Sequence, residues 1–373
     1  MSHSIAIVGL GAAARHIHLP AYRKLRDLRV VGGADSDPAA AASGFPFPVF
    51  ASAEEMLART KPEIVAIVTP PRSHFELTRM ALEAGCHVFC EKPFMESLEE
   101  ADRIAGLAAE VGRRVVVNNE FRFMRSHAAA RDMIGRPEFG RLLFVAMHQT
   151  FFVTEETERG WRGQDTRRTA KDFGTHALDL CRFFFGEDPL SISARMPRGD
   201  RPQGPDLLNL IQLEFSGDRV AHIILDRISR GPHRYLDIRL DGEHGCVETS
   251  LGGKLQVSAG IQAATRRPFL HLDAAMGGRA RLYKGESFSL LATDPLDLFA
   301  DATSRLMREF LTAIEHGTTP PCDAADNVQS LALMLAAYES DARGTPVELG
   351  RRPAEDPAGT SLRSPEPVVG RTT

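Results

Sequence analysis

Over the first third of the chain, short continuous apolar runs alternate with stretches whose apolar positions recur at helical spacing. Ser4 to Val8, Val30 to Ala34, Ile64 to Val68, Val88 to Cys90 and Val115 to Val117 read as strands buried on both faces. Between them, Arg15 to Arg26, Phe75 to Ala84 and the segments opened by Ser52-Ala53-Glu54-Glu55 and Ser97-Leu98-Glu99-Glu100 read as helices. The last two have the S-x-x-E form in which serine and glutamate satisfy the backbone N–H groups that open a helix. Strands alternating with helices of about 10–15 residues imply βαβ units with right-handed crossovers, hence a doubly wound parallel sheet. Ligands of such sheets bind beyond the carboxyl ends of the strands. Gly9 to Ala14, Thr69 to Pro71 and Cys90 to Pro93 each stand at such an end, and are expected to line one crevice.

From Leu208 the period changes to two. Ala221, Ile223 and Leu225 alternate with His222, Ile224 and Asp226, and Tyr235, Asp237 and Arg239 oppose Leu236, Ile238 and Leu240. With turns at Ser216-Gly217-Asp218 and Asp241-Gly242-Glu243, this predicts an antiparallel sheet carrying helices on one face. Ile224 makes the other face partly apolar, as a surface covered by a second subunit is. Residues 259–295 show no regular period and read as loop-rich. Leu296 to His316 and Ala324 to Ala342 read as two amphipathic helices broken at Gly317-Thr318-Thr319-Pro320-Pro321. The tail after Gly350 is rich in Pro, Arg, Gly, Ser and Thr, the composition of a flexible segment.

Composition narrows the function classes. The 373 residues exceed what one hydrophobic core organises, which favours two domains. A formal charge of -4 gives no reason to expect a polyanion partner, so nucleic acid is set aside. No stretch approaches the roughly 20 apolar residues of a membrane span, and the N-terminus enters a strand without a signal-peptide layout, so a soluble cytoplasmic protein without a membrane partner is expected. Cys86, Cys90, Cys181, Cys246 and Cys322 are scattered and form no C-x-x-C, against both a disulfide framework and structural zinc; they read as small buried fillers.

The candidate chemistry lies at the strand ends. Gly9-Leu10-Gly11-Ala12-Ala13-Ala14 follows the first strand and opens a helix: Gly9 allows a tight turn, Gly11 lets backbone N–H groups approach a pyrophosphate, Ala13 lies in the same turn, and the small Ala14 allows close helix–strand packing. Asp35 ends the second strand, placed to hydrogen-bond the adenosine ribose, with Ser36 and Asp37 next and no adjacent arginine to neutralise a 2′-phosphate; this favours NAD over NADP. The other reading of Asp35 is a plain strand end. Thr69 and Pro70 form a rigid turn presenting a hydroxyl, and His74 is open to either cofactor contact or a helix-capping role. Of 45 Lys and Arg, the lysines are Lys24, Lys61, Lys92, Lys171, Lys254 and Lys284; where arginine is the default cation, Lys92 in Glu91-Lys92-Pro93 suggests a titratable amine.

These residues together resemble the family that groups glucose–fructose oxidoreductase with inositol dehydrogenase (Gfo/Idh/MocA). The resemblance rests on the glycine turn, Thr69-Pro70-Pro71-x-x-His74, Ala81-Leu82-Glu83-Ala84-Gly85-Cys86-His87-Val88 and Glu91-Lys92-Pro93 in register. It implies a Rossmann domain, with Lys92 beside the nicotinamide and Glu91 shaping the cofactor pocket. It continues more loosely through Asn119-Glu120-Phe121-Arg122-Phe123, taken as the entry to a second domain, and through Asp172-Phe173-Gly174-Thr175-His176-Ala177-Leu178-Asp179, similar to the family's D-x-G-x-H-x-x-D element. The chain is thus read as α/β: an NAD(P)-binding Rossmann domain over 1–119, an α+β domain with a large, mostly antiparallel open sheet over 120–350 whose last helices can pack back on the first domain, and a tail over 351–373. Homo-oligomerisation, as dimer or tetramer through the open sheet, is implied by resemblance alone.

Spacing of i, i+4 and i+7 sets Asp172, His176 and Asp179 along one helix face. A plain structural helix and a shared metal ion are the other readings; no third ligand is legible, and no metal is assigned. Arg168-Thr169-Ala170-Lys171 stands where relatives carry glycines, so Lys171 is either a solvated flank or a second cation at the substrate. The expected chemistry is hydride transfer between NAD(P) and a secondary alcohol of a sugar, cyclitol or related polyhydroxy compound. His176 is the base, with Lys92 as the alternative; Asp172 binds a neighbouring hydroxyl and Lys92 stabilises the developing alkoxide. Glu120, Arg122, Trp161, Arg162 and His233 are candidates for substrate contact. A non-catalytic sensor of dinucleotide or sugar on the same fold is the competing reading.

Overall fold

The computed structural model describes residues 2–41, 44–153, 165–198, 204–231, 233–252, 254–261, 266, 268–275 and 277–350. The first part alternates strand and helix: β1 His3–Val8, α1 Leu19–Tyr22, β2 Leu28–Ala34, α2 Pro38–Ala41, β3 Val49–Phe50, α3 Ala53–Thr60, β4 Ile64–Ile67, α4 His74–Glu83, β5 His87–Cys90, α5 Leu98–Glu110 and β6 Val115–Val117. The strands pair in parallel in the order β3-β2-β1-β4-β5-β6, so the order reverses beside β1. That reversal opens the crevice in which doubly wound sheets bind ligands. Both serines cap their helices: Ser52 Oγ accepts from Glu55 N–H and Ser97 Oγ from Glu100 N–H, each at 3.2 Å.

The turn Glu120–Phe123 and helix α6, Arg125–Met133, lead into a nine-stranded sheet. Its strands are β7 Leu142–Thr150, β8 Ser191–Arg195, β9 Leu208–Phe215, β10 Arg219–Asp226, β11 Arg234–Gly242, β12 Cys246–Leu251, β15 Gly278–Lys284, β16 Ser287–Asp294 and β17 Val347–Glu348, while β13 Lys254–Ile261 and β14 Pro268–Ala275 form a separate hairpin. All pairs are antiparallel except β7 with β10. The described residues within 259–295 are therefore mostly in strands, against the expectation of loops. Their apolar positions are too few and too interrupted to show a period, and pairing with β12 supplies the order instead.

Helix α7, Thr175–Phe185, lies on the buried face of this sheet, and the last helices are α8, Leu298–His316, and α9, Ala324–Arg343. Helix α8 returns to the first sheet: Leu306, Met307 and Phe310 share a core with Ile5, Ile7 and Phe89. The residues before α9 bond to the edge strand β6, with Val117 N–H donating to Cys322 O at 2.9 Å. The two parts are thus locked by a segment far along the chain. Tyr235 keeps an exposed edge while its ring packs on two phenylalanines. Register slips between Arg234 and Asp237, and this bulge turns the Tyr235 ring onto Phe173 and Phe299, at 5.9 and 5.5 Å between centroids. Cys86, Cys90, Cys181 and Cys322 are buried fillers as expected; Cys246 is half-buried.

Candidate active site

The crevice at the reversal has a volume of about 660 Å³ and is lined from all three strand ends by Gly9, Gly11, Ala13, Asp35, Thr69, Pro70, Glu91 and Lys92, with Asp172 closing it from the second part. Gly9 has φ +93°, and a Cβ there would lie 2.5 Å from Val68 O, so this turn needs glycine. A Cβ on Gly11 meets nothing within 4 Å; it would project into the open crevice, in the space a pyrophosphate needs beside the helix start. Ala14 does not line the crevice; it is buried in the helix–strand contact. Asp35 is held by two backbone donors, Leu10 N–H to Oδ2 at 2.7 Å and Asp37 N–H to Oδ1 at 2.9 Å. Ala12, Ser36 and Arg72 also line the crevice; they lie within or beside the same motifs, at positions to which the sequence assigned no role.

His74 is not at the crevice. Its ring is fully buried, with Nδ1 3.0 Å from Pro93 O and Nε2 2.9 Å from Thr69 O, so it ties the Thr69 turn to the Lys92–Pro93 turn. Burial, the largest effect, pulls its imidazole below the ordinary value despite these carbonyls. Glu91 is held from beneath: His18 Nε2 is 2.7 Å from its Oε1, and Asn118 Nδ2 donates to the same oxygen at 2.8 Å. Burial alone would push the Glu91 carboxyl up, but His18, Lys92 and Asn118 outweigh it and hold the group at about 2. His18 and Asn118 carry no motif in the sequence; only the fold brings them under Glu91.

Lys92 Nζ donates to Asp172 O at 2.9 Å and to Asp172 Oδ1 at 3.2 Å, across the junction of the two parts. The Asp172 carboxylate also receives Arg168 Nη1 at 2.8 Å and Arg227 Nη2 at 3.4 Å. Asp172 sits in a wide π turn, Ala170–Gly174, that runs directly into α7. The extra residue in that turn breaks the strict i, i+4 spacing. His176 remains near Lys92, stacked on Phe121 at 4.0 Å and 9°, with its buried Nδ1 lacking a hydrogen-bond partner among the described residues. Burial first, and the Lys92 charge second, hold its imidazole well below the ordinary histidine range.

Asp179 instead faces the interior. Arg122 grips it through Nε at 2.7 Å and Nη2 at 2.5 Å, and Asn119 and Ser330 each donate at 2.9 Å. Arg122 is thus a half-buried cation paired with Asp179, and it does not line the crevice. Burial opposes its charge, but Asp179 and Asp326 more than compensate. Lys171 does not line the crevice; it bridges Glu96 at 2.7 Å and Asp165 at 2.8 Å. His233 is exposed before β11 and does not line the crevice. Glu120 is buried beside Lys92 without lining the crevice. Trp161 and Arg162 lie outside the described residues.

Two family models match the chain, an oxidoreductase family's NAD-binding Rossmann fold over residues 3–119 and the same family's C-terminal alpha/beta domain over residues 131–349. The chain belongs to this Gfo/Idh/MocA oxidoreductase family. A D-apiose dehydrogenase of Paraburkholderia graminis is 26% identical over 96% of this chain and 93% of its own length. Among solved structures, an oxidoreductase from Agrobacterium radiobacter in complex with NAD+, L-tartaric acid and magnesium superposes with a TM-score of 0.76 at 19% identity, covering 93% of this chain and 98% of that one. The WlbA dehydrogenase from Bordetella pertussis, in complex with NADH and UDP-GlcNAcA, gives 0.74 at 20% identity, over 94% and 98% of the two chains. As a Gfo/Idh/MocA protein the chain is an enzyme, an oxidoreductase with NAD as its cofactor, and the sensor reading finds no support among these relatives. No helix among the described residues is long and apolar enough to cross a membrane.

Proposed function

We propose that this enzyme transfers a hydride between NAD and a secondary alcohol of a sugar, cyclitol or related polyhydroxy compound. The observation that carries the reading is the Lys92–Asp172 contact, which joins the end of the dinucleotide crevice to the element bearing His176. Gly9, Gly11, Ala13 and Asp35 would hold the dinucleotide, with Asp35 on the adenosine ribose; this acid favours NAD over NADP. When bound, the nicotinamide supplies the hydride acceptor. The neutral His176 is ready to take the hydroxyl proton, and the Lys92 ammonium stabilises the alkoxide that develops on the same oxygen. Asp172 orients Lys92 and binds the neighbouring substrate hydroxyl. Lys92 and His176 interact electrostatically, so the proton belongs to the pair, with Lys92 as the alternative acceptor.

A cytoplasmic homo-oligomer assembled through the nine-stranded sheet completes the reading; Leu290 and Phe288 are exposed on its β16 strand. The deciding experiment incubates the purified enzyme with NAD, and separately NADP, against D-apiose, D-glucose, myo-inositol and their open-chain analogues. Nicotinamide absorbance is expected to rise with NAD for at least one ring-forming polyol; no rise with any of them overturns the reading.

A further inference from the structure

The helix that carries Asp172 and His176 starts without a cap of its own. The π turn Ala170–Gly174 runs on into α7, and Thr169 before it makes no side-chain cap bond; Thr169 Oγ1 is buried without a hydrogen-bond partner among the described residues. The opening N–H groups of a helix have no acceptor within it and need one from outside. Here they are met by residues far along the chain. Arg168 N–H donates to Asp206 Oδ1, Thr169 N–H to the Asp206 backbone carbonyl at 3.3 Å, and Ala170 N–H to Asp206 Oδ2 at 3.0 Å. Lys171 N–H donates to the Tyr338 hydroxyl at 3.2 Å. The next N–H, that of Asp172, turns back on Arg168 O at 3.0 Å.

Asp206 is fully buried just before β9 and is itself held in place. Asn209 Nδ2 donates to its Oδ2 at 3.0 Å, and the Tyr338 hydroxyl, arriving on α9, donates to the same oxygen at 3.2 Å. Burial first, and the Asp206 charge second, push the Tyr338 phenol up, which keeps its hydroxyl a donor. A carboxylate at the start of a helix also faces the positive end of the helix dipole. Neither Asp206 nor Tyr338 lines the crevice, yet their hold reaches it in two steps. Arg168, pinned through its N–H, grips Asp172 twice: its carbonyl accepts Asp172 N–H, and its Nη1 donates to Asp172 Oδ2 at 2.8 Å. Asp172 then offers its carbonyl and Oδ1 to Lys92 Nζ at 2.9 and 3.2 Å.

We propose that Asp206, with Tyr338, is a positioning residue for the hydride site: a capping carboxylate supplied from before β9 that fixes both acceptors Asp172 presents to Lys92. The inference rests on the hydride-transfer reading for its kinetic half only, because the hold on Lys92 is measurable without substrate.

Two measurements test it on the full-length enzyme. Acylation by a limiting amine-reactive ester, read by peptide mass spectrometry, compares Lys92 with Lys24, which is 34% exposed and pairs with Asp297. Relative to Lys24, Lys92 is expected to react about threefold faster in Asp206→Asn and in Tyr338→Phe than in the unaltered enzyme, the effect of loosening one hydrogen bond. A cap that only stabilised the fold would lower Tm and leave this ratio unmoved. With whichever of D-apiose, D-glucose or myo-inositol turns over fastest, Asp206→Asn is expected to lose about 10–100-fold in kcat, the effect of a small misplacement, while KM for NAD holds because the Gly9–Ala13 turn and Asp35 are untouched. Tyr338→Phe removes one hydroxyl and keeps the ring, so it carries the test where Asp206→Asn does not fold. An unchanged Lys92-to-Lys24 ratio in the folded variants overturns the proposal, as does an unchanged kcat or a KM for NAD that rises in its place. If none of the three compounds turns over, the proposed function has failed and the labelling ratio alone decides this inference.

Discussion

The Lys92 ammonium and the Asp172 carboxylate meet at 3.2 Å although 80 positions separate them, and Lys92 also bonds the Asp172 backbone carbonyl at 2.9 Å. A contact to both backbone and side chain fixes the lysine in direction as well as distance. The π turn carrying Asp172 is what aims both acceptors at once.

Replacing Lys92 with alanine is expected to lower kcat by about 10²–10³-fold, the loss seen when one donor to a developing oxyanion is removed. NAD binding, followed by quenching of protein fluorescence, should persist, because the Gly9–Ala13 turn and Asp35 are untouched. A variant that turns over at the unaltered rate would remove Lys92 from the hydride step.

Arg122→Ala strands the Asp179 carboxylate in the interior with two neutral donors. Breaking one side of a buried ion pair destabilises by about 3–5 kcal/mol, so the urea midpoint should fall well below that of the unaltered enzyme. If Arg122 bound substrate instead, KM would rise with the midpoint unmoved.

His3 sits between Glu63 at 2.9 Å and Glu315 at 3.2 Å, joining β1 to the end of α8. Burial is the largest single effect and lowers its value, but the hydrogen bonds and charges of the two glutamates together raise it above 6.5. A raised folded value means that this stabilisation is complete below 6.5 and fades as pH rises through the folded value. Tm is therefore expected to drop between pH 6 and pH 8, and His3→Gln should flatten that drop. Both glutamates are more than a third exposed, so molar salt should weaken the effect. An equal drop in the variant would place the pH dependence elsewhere.

Five strands of the parallel sheet were legible in the sequence because each is locally apolar and bounded by its own turn or cap, as at Ser52 and Ser97, whereas the two-residue edge strand β3 was not. The glycine turn and Asp35 were legible for the same reason: Gly9 answers to a backbone angle and Asp35 to a strand end, both local requirements. Lys92 was legible by rarity and by its register after the strands.

Tertiary structure decided where side chains of one helix go. Asp172 and Asp179 are equivalent as sequence, yet the wide turn sends the first to Lys92 while Arg122, arriving from the preceding turn, takes the second into the core. The bulge at Tyr235, the bridge formed by Lys171 and the strands of 259–295 likewise depend on partners supplied by distant segments. Period and spacing record what a residue's own backbone requires. They do not record which remote charge or strand satisfies it, and burial of an ion or a strand edge is stable only once that partner is in place.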